Sequence, residues 1–258
     1  MRAAVLGSPI AHSRSPQLHL AAYRELGLTD WTYDRIECTG EQLPGLVGGF
    51  GPEWVGVSVT MPGKFAALRF AAERTQRAEL VGSANTLVRV EGGWRADNTD
   101  VDGVVGALGE VSGAAAVLGS GGTAPAAVVA LASLGITDIA VVARNADKAA
   151  SLVALGEKVG VEARWVTLGE PLNSLGVVVN TLPAAVADEF AGTVADTAVL
   201  LDAIYDPWPT PLAAAVAAAG GRVVSGLQML LNQAYAQVEQ FTGMPAPRAA
   251  MAAALAAS

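Results

Sequence analysis

The chain has 258 residues, with 16 basic and 24 acidic side chains and a formal net charge of −8. Hydrophobic residues make up 52% and aromatics 5%, enough apolar material for a sizeable core in one or two domains, which excludes disorder and fibre. An acidic surface repels phosphate backbones and anionic lipid, so nucleic acid and membranes are not expected partners and small molecules are the favoured ligands.

Cys38 is the sole cysteine, which leaves no internal disulfide and no thiolate metal cluster and points to a reducing, cytoplasmic setting; a buried small hydrophobe is its expected role. The apolar run Ala3 to Leu6 is too short for a signal peptide. The long uncharged stretch between Glu110 and Asp138 is interrupted by Gly119, Gly121, Gly122 and Pro125, so it reads as strand, turn and helix rather than a membrane span.

From Ala3 to about Asp97, strand-like runs at Ala3–Leu6, Trp31–Ile36, Val55–Thr60 and Thr86–Val90 alternate with helix-like segments at Pro16–Leu26, Glu41–Val47 and Lys64–Ala72. Such alternation predicts a sheet of the βαβ type. Pro16 suits the first turn of a helix capped by Ser15, and Gly27 falls just past its end, where a left-handed residue is often required. Ser13 and Ser15 therefore sit at a helix N-terminus, where a hydroxyl pair either caps the helix or holds a carboxylate.

Lys64 follows Val57-Ser58-Val59-Thr60-Met61-Pro62-Gly63, a strand ending in a proline and glycine turn. Asn85, Asp97, Asn98, Thr99 and Asp100 form a second polar cluster around the strand pair Asn85–Val90 and Gly93–Arg95, at strand ends where loops carry sites. If Lys64 and Asp100 meet, they make a usable general acid/base pair; otherwise Lys64 is a solvated charge at the lip of a strand.

After Val111 the texture changes to alanine, valine and glycine. Ala114–Leu118 reads as a buried strand, Thr123–Leu134 as a helix and Ile139–Ala143 as a second strand, with further strands at Val161–Val166, Val177–Asn180, Val199–Asp202 and Val223–Val224. This half is expected to be a parallel, doubly wound α/β domain. Helical spacing runs from Leu227 to Phe241, and Arg248–Ala257 reads as a last helix.

Gly119-Ser120-Gly121-Gly122-Thr123-Ala124 joins the first of these strands to its helix, the context that a dinucleotide-binding GxGxxG/A turn requires. Gly119 suits the tight turn, Gly121 lets backbone approach a pyrophosphate, and Ala124 permits close packing of helix on strand; the competing reading is a tight turn that binds nothing. An NAD enzyme usually carries an acidic residue at the end of the second strand, for the ribose 2′-OH. This chain has Arg144 there, followed one helical turn later by Lys148. Two cations where a 2′-phosphate would lie point to NADP(H), against the alternative of solvated charges beside Asp147.

Together with Ser13-Arg14-Ser15 and the run Val57–Lys64, the segments Gly82-Ser83-Ala84-Asn85-Thr86, Asp97-Asn98-Thr99-Asp100, Asp202-Ala203-Ile204-Tyr205-Asp206-Pro207 and Gly226-Leu227-Gln228-Met229-Leu230-Leu231-Asn232-Gln233 resemble the NADP-dependent shikimate dehydrogenase family, in the family's order and through nearly the whole chain. The resemblance implies an α/β substrate-binding and catalytic domain from 1–103 with 227–258, a Rossmann-like NADP domain from 104–226, and an active site in the cleft between them. It implies that Ser13, Ser15, Thr60, Asn85, Tyr205 and Gln233 bind substrate, that Lys64 and Asp100 form the catalytic pair, and that Gly119, Ser120, Gly121, Gly122, Thr123, Arg144, Lys148, Ala203, Gly226 and Met229 bind the cofactor. The chain departs from the family's usual Asn-Arg-Thr after the second strand, reading Ala143-Arg144-Asn145, and has Gln76 where members often carry an acidic residue.

The implied reaction is reversible, NADPH-dependent reduction of 3-dehydroshikimate to shikimate, a step of aromatic amino acid biosynthesis. The alternatives are a quinate/shikimate dehydrogenase preferring NAD, which Arg144 opposes, a methylene-tetrahydrofolate dehydrogenase-like enzyme, which leaves Ser13 and Ser15 unexplained, and a catalytically silent NADP- or shikimate-binding protein. His12 and His19 lack neighbouring acidic ligands, so no metal is expected and each reads as structural or solvated. A homodimer is left open.

Overall fold

A computed structural model describes residues 1–256. The expected extension of the last helix to Ala257 lies outside the described residues. In chain order the elements are β1 (Arg2–Gly7), α1 (Ser15–Glu25), β2 (Thr32–Glu37), α2 (Leu43–Gly48), β3 (Trp54–Val59), α3 (Lys64–Phe70), β4 (Glu73–Arg74), α4 (Gln76–Val81), β5 (Thr86–Val90) and β6 (Gly93–Asp97). They continue with α5 (Asp100–Leu108), β7 (Ala115–Leu118), α6 (Ala124–Ser133), β8 (Asp138–Ala143), α7 (Ala146–Lys158), β9 (Glu162–Thr167) and β10 (Val177–Asn180). The remainder is α8 (Ala184–Ala187) running into a 3₁₀ turn (Asp188–Thr193), β11 (Val199–Asp202), α9 (Pro211–Ala218), β12 (Arg222–Ser225), α10 (Gly226–Thr242) and α11 (Arg248–Ala256). The chain divides into two compact units, residues 1–99 with 230–258 and residues 100–229, so the first turn of α10 belongs to the second unit and the rest of it to the first.

The first unit holds a sheet in the order β2-β1-β3-β5-β6-β4. The expected βαβ type holds for β1 to β3, with β1 parallel to β2 and β3, and the expected strand pair is found as β5 and β6; β5 is antiparallel to both β3 and β6. The reason lies in the connections. Helical crossovers return β1, β2 and β3 in one direction, whereas Gly92 at φ +85° turns the chain tightly between β5 and β6. The short elements β4 and α4 were not legible, because Glu73–Val81 carries no clear period. The core packs Leu6, Leu43, Val57, Leu87 and Trp94 together, all buried.

The second unit holds a wholly parallel sheet in the order β12-β11-β10-β7-β8-β9. Counted from β7, this is the 3-2-1-4-5-6 order of dinucleotide-binding domains. The central strands β7 and β10 are buried at every residue, which their unbroken runs of alanine, valine and leucine allow, while β9 on the edge alternates toward solvent. Leu118, Val142, Val178, Leu200, Leu212 and Val216 form part of its core.

Candidate active site

The first unit gathers buried polar side chains where β3, β5 and β6 meet α10. Asn85, just ahead of β5, is buried; its Oδ1 accepts from the Thr99 backbone N–H (2.8 Å) and from Thr86 Oγ1 (2.8 Å). Its Nδ2 donates to Thr99 Oγ1 (3.0 Å) and to Gln233 Oε1 (3.3 Å). Gln233 comes from α10 and is anchored by its Nε2 on the Leu230 carbonyl (2.9 Å). Two of the expected substrate residues, Asn85 and Gln233, are thus in contact although 148 positions apart.

Lys64 is the first residue of α3, half-buried, and its backbone carbonyl accepts from Ala84 N–H (3.0 Å), which fixes the start of α3 beside the Asn85 segment. Thr60 lies one residue beyond β3, not within it; its N–H is bonded to the Leu6 carbonyl (2.8 Å) and its carbonyl receives the Gly63 N–H (2.9 Å), closing the turn that delivers Lys64. Met61 and Phe65 flank this turn and are exposed.

The expected cap of α1 needs correction. Ser15 is the first helical residue, the cap position is Arg14, and that position makes no side-chain cap bond. Instead Ser13 Oγ accepts the Ser15 N–H (3.3 Å), and Arg35 from β2 donates twice to the Ser13 carbonyl (2.9 and 2.6 Å). The chain ahead of α1 is therefore held from the neighbouring strand. That anchor, Arg35, had no signal in the sequence beyond being a charge on an edge strand.

Asp97, grouped in the sequence with the polar cluster, is committed to structure. Burial alone would raise its carboxyl pKa, but hydrogen bonds from Arg77 and Thr75, the Arg77 charge and the Asn98 N–H outweigh burial and hold it below the usual carboxylate value. Gln240 of α10 donates to its other oxygen (2.8 Å), so the carboxylate also ties α10 to β6. His19, likewise, is wholly buried and stacked on Tyr33 with ring centroids 4.0 Å apart. Burial drives its pKa down to about 3 against the opposing bond to Gln237, so it stays neutral and structural.

In the second unit, the turn after β7 has the geometry that a pyrophosphate needs. Gly119 has φ +104°, and a Cβ there would meet Thr181 Oγ1 at 2.7 Å, so only glycine fits. Its N–H is bonded to the Val142 carbonyl (2.8 Å). A Cβ on Gly121 would meet nothing within 4 Å, which leaves its exposed backbone open to a ligand. Ser120, Gly122 and Thr123 are half-buried and lead into α6, whose first residue Ala124 is fully buried. Free N–H groups at such a helix start favour an anion.

Arg144 follows the last residue of β8 and is exposed, as is Lys148 in the first turn of α7. Asn145 between them caps α7 by accepting the Lys148 N–H (3.0 Å). The departure from the family's Asn-Arg-Thr therefore retains a base and supplies a helix cap. These residues fit a phosphate-bearing dinucleotide.

The loop between β11 and α9 carries Ala203 and half-buried Tyr205. Asp202, fully buried, accepts from Asn180 Nδ2 (2.9 Å), the Ile204 N–H (3.1 Å) and Thr210 Oγ1 (2.6 Å), pinning both ends of the loop. Gly226 opens α10 against it: a Cβ there would lie 2.2 Å from the Ala203 carbonyl oxygen. Ala203 and Gly226 are thereby brought together, with Met229 buried one turn along α10. Asp100 is buried at the start of α5, a helix rather than the expected loop.

Comparison with known proteins settles the family. Residues 5–87 match the model of the shikimate dehydrogenase substrate binding domain, and residues 226–256 that of the shikimate 5′-dehydrogenase C-terminal domain. A shikimate dehydrogenase (NADP(+)) of Anaeromyxobacter is 38% identical, over 98% of this chain and 95% of that protein. The chain belongs to the shikimate dehydrogenase family. The crystal structure of Mycobacterium tuberculosis shikimate dehydrogenase is 74% identical, with a TM-score of 0.96 over 99% of this chain and 98% of that one. The shikimate 5-dehydrogenase of Thermus thermophilus, solved in complex with NADP(H) and shikimate, is 30% identical, with a TM-score of 0.83 over 100% of this chain and 99% of that one. The family's arrangement of an α/β substrate domain and a Rossmann-like NADP domain is this chain's fold class. Among the described residues no helix is long and apolar enough to cross a membrane, and no cluster of side chains could hold a metal ion.

Proposed function

We propose that the chain catalyses the reversible NADPH-dependent reduction of 3-dehydroshikimate to shikimate, with residues 1–103 and 227–258 as the substrate-binding domain and 104–226 as the NADP domain. The observation that carries the cofactor choice is Arg144: an exposed base follows the second strand of a 3-2-1-4-5-6 sheet, where an acidic residue would select NAD.

Bound NADPH supplies the hydride for C3 of the substrate. Lys64 donates its Nζ proton to the oxygen that becomes negative at C3, and Asp100 orients that hydroxyl. Ser13 and Ser15 hold the substrate carboxylate; Thr60, Asn85, Tyr205 and Gln233 hold its ring hydroxyls and carboxylate. Gly119, Ser120, Gly121, Gly122 and Thr123 offer backbone and hydroxyl donors to the pyrophosphate, and Arg144 with Lys148 bind the 2′-phosphate. Ala203, Gly226 and Met229 border the nicotinamide. The enzyme's role is alignment, since hydride donor and acceptor must be held at contact distance.

Absorbance at 340 nm tests the reading with shikimate or quinate against NADP⁺ or NAD⁺. Shikimate with NADP⁺ is expected to be the preferred pair. Preference for quinate with NAD⁺ overturns the assignment of Arg144, and tight binding of both ligands without turnover makes the chain a binding protein. A single cysteine, which can form no internal disulfide, fits a cytoplasmic location, and sedimentation of the purified protein reads whether it forms a homodimer.

A further inference from the structure

We propose that Gln237 is a positioning residue: through a one-way chain of buried hydrogen bonds it helps fix the Asn85 amide and, through Asn85, which end of the Gln233 amide meets the substrate. The inference rests on the reading above, in which those two amides hold substrate. A carboxamide presents either a carbonyl or an NH₂ with nearly the same shape, so its partners decide its orientation.

The chain begins at Tyr33, whose hydroxyl donates to Ser58 Oγ (2.6 Å). Ser58 then sends its own proton to Gln237 Oε1 (2.8 Å). His19 Nε2 lies 3.3 Å from the same oxygen and, because a carbonyl can only accept, carries the proton there. With its oxygen taken, Gln237 must turn Nε2 the other way, where it donates to Thr86 Oγ1 (2.9 Å) and to the Asn85 carbonyl (3.2 Å). Thr86, having accepted, donates to Asn85 Oδ1 (2.8 Å). The Thr99 N–H, which can only donate, reaches the same Oδ1.

Asn85 Nδ2 is thereby directed at Thr99 Oγ1 and Gln233 Oε1. Gln233, with Oε1 receiving and one N–H spent on Leu230, meets a ligand with N–H rather than with C=O. That polarity suits a carboxylate or a hydroxyl oxygen. Tyr33, Ser58, Gln237, Thr86 and Asn85 are all buried, so water does not scramble the order. Gln233 and Gln237 are one turn apart on the same face of α10, so both amides reach Asn85.

Gln237→Glu tests the proposal, since a carboxylate of the same shape cannot donate to Thr86 or to the Asn85 carbonyl. Thr86→Val is the second variant; it cuts the chain one link later and decides the matter if the first does not fold. Both are expected to raise the KM for shikimate about tenfold or more, with the KM for NADP⁺ within about twofold, and Gln237→Glu should add less than about twofold on an Asn85→Ala background. An unchanged shikimate KM in folded variants, or an equal rise on the Asn85→Ala background tracking a fall in Tm, overturns the proposal and leaves Gln237 a core residue. Active wild type with unaffected variants refutes this inference alone, whereas wild type inert toward shikimate refutes the reading beneath it.

Discussion

The two units gather their candidate binding residues from opposite materials. In the first, side chains are fixed by other side chains: Asn85, Thr86, Thr99, Gln233 and Gln237 form a buried network in which each group specifies its neighbour's orientation. In the second, backbone is exposed by removing side chains: Gly119 accepts a left-handed conformation, Gly121 leaves its surface open, and Gly226 lets α10 start against the Ala203 carbonyl. The difference suits the ligands proposed for each unit. A ring bearing several hydroxyls is discriminated by donors and acceptors of defined polarity, whereas a pyrophosphate needs close N–H groups and a positive helix end.

Breaking that contrast has graded consequences. The largest is expected from Lys64→Ala, which removes the proposed proton donor while sparing both proposed binding surfaces: kcat should fall by about 10²–10⁴, with shikimate affinity by calorimetry nearly retained. A fall in affinity matching the fall in kcat would show Lys64 to be a binding residue. Next comes the Arg144→Ala, Lys148→Ala double variant. Loss of charge-assisted bonds to a 2′-phosphate should raise the KM for NADP⁺ by about 10- to 100-fold and leave that for NAD⁺ unchanged; an equal effect on both cofactors would remove the phosphate assignment.

Gly226→Ala should cost about 1–3 kcal/mol in a urea titration, because the added Cβ meets rigid backbone rather than a movable side chain. The smallest effect per step concerns His19 in the side-chain network. Its folded pKa, about 3, lies below the ordinary 6.5. Between those values the unfolded chain binds a proton that the folded one refuses, so stability falls as pH drops from 6.5 toward 3, by about 1.4 kcal/mol per pH unit. Urea midpoints across that range should show the slope in wild type and a flatter one in His19→Gln; equal slopes would assign the pH dependence to other groups, Asp97 among them below its usual carboxylate range.

Legibility differed between the units for the same physical reason as their chemistry. The parallel sheet of the second could be read almost strand by strand, since β10 and β11 coincide with Val177–Asn180 and Val199–Asp202 and the central strands are largely apolar runs between turn residues. The glycine turn was equally open to reading, because a backbone site is encoded by what is missing at consecutive positions. In the first unit β4, α4 and the antiparallel pairing of β3 with β5 were not evident. Nor were the roles of Arg35, Gln237 and Gln240, whose partners are the Ser13 carbonyl, Ser58 with Thr86, and Asp97.

By itself, the sequence determined the α/β class, the glycine turn between strand and helix with the basic pair after the next strand, and, through motifs in a recognisable order, the family and the residues to inspect. Tertiary structure alone decided that Ser15 begins α1 instead of capping it, that Asp97 is spent on Arg77 and Gln240, and which way the buried amides point. Local features depend on neighbours a few residues away, which spacing records. A hydrogen-bond direction such as that from Gln237 to Thr86 joins positions 151 apart and exists only once burial has removed water as the competing partner.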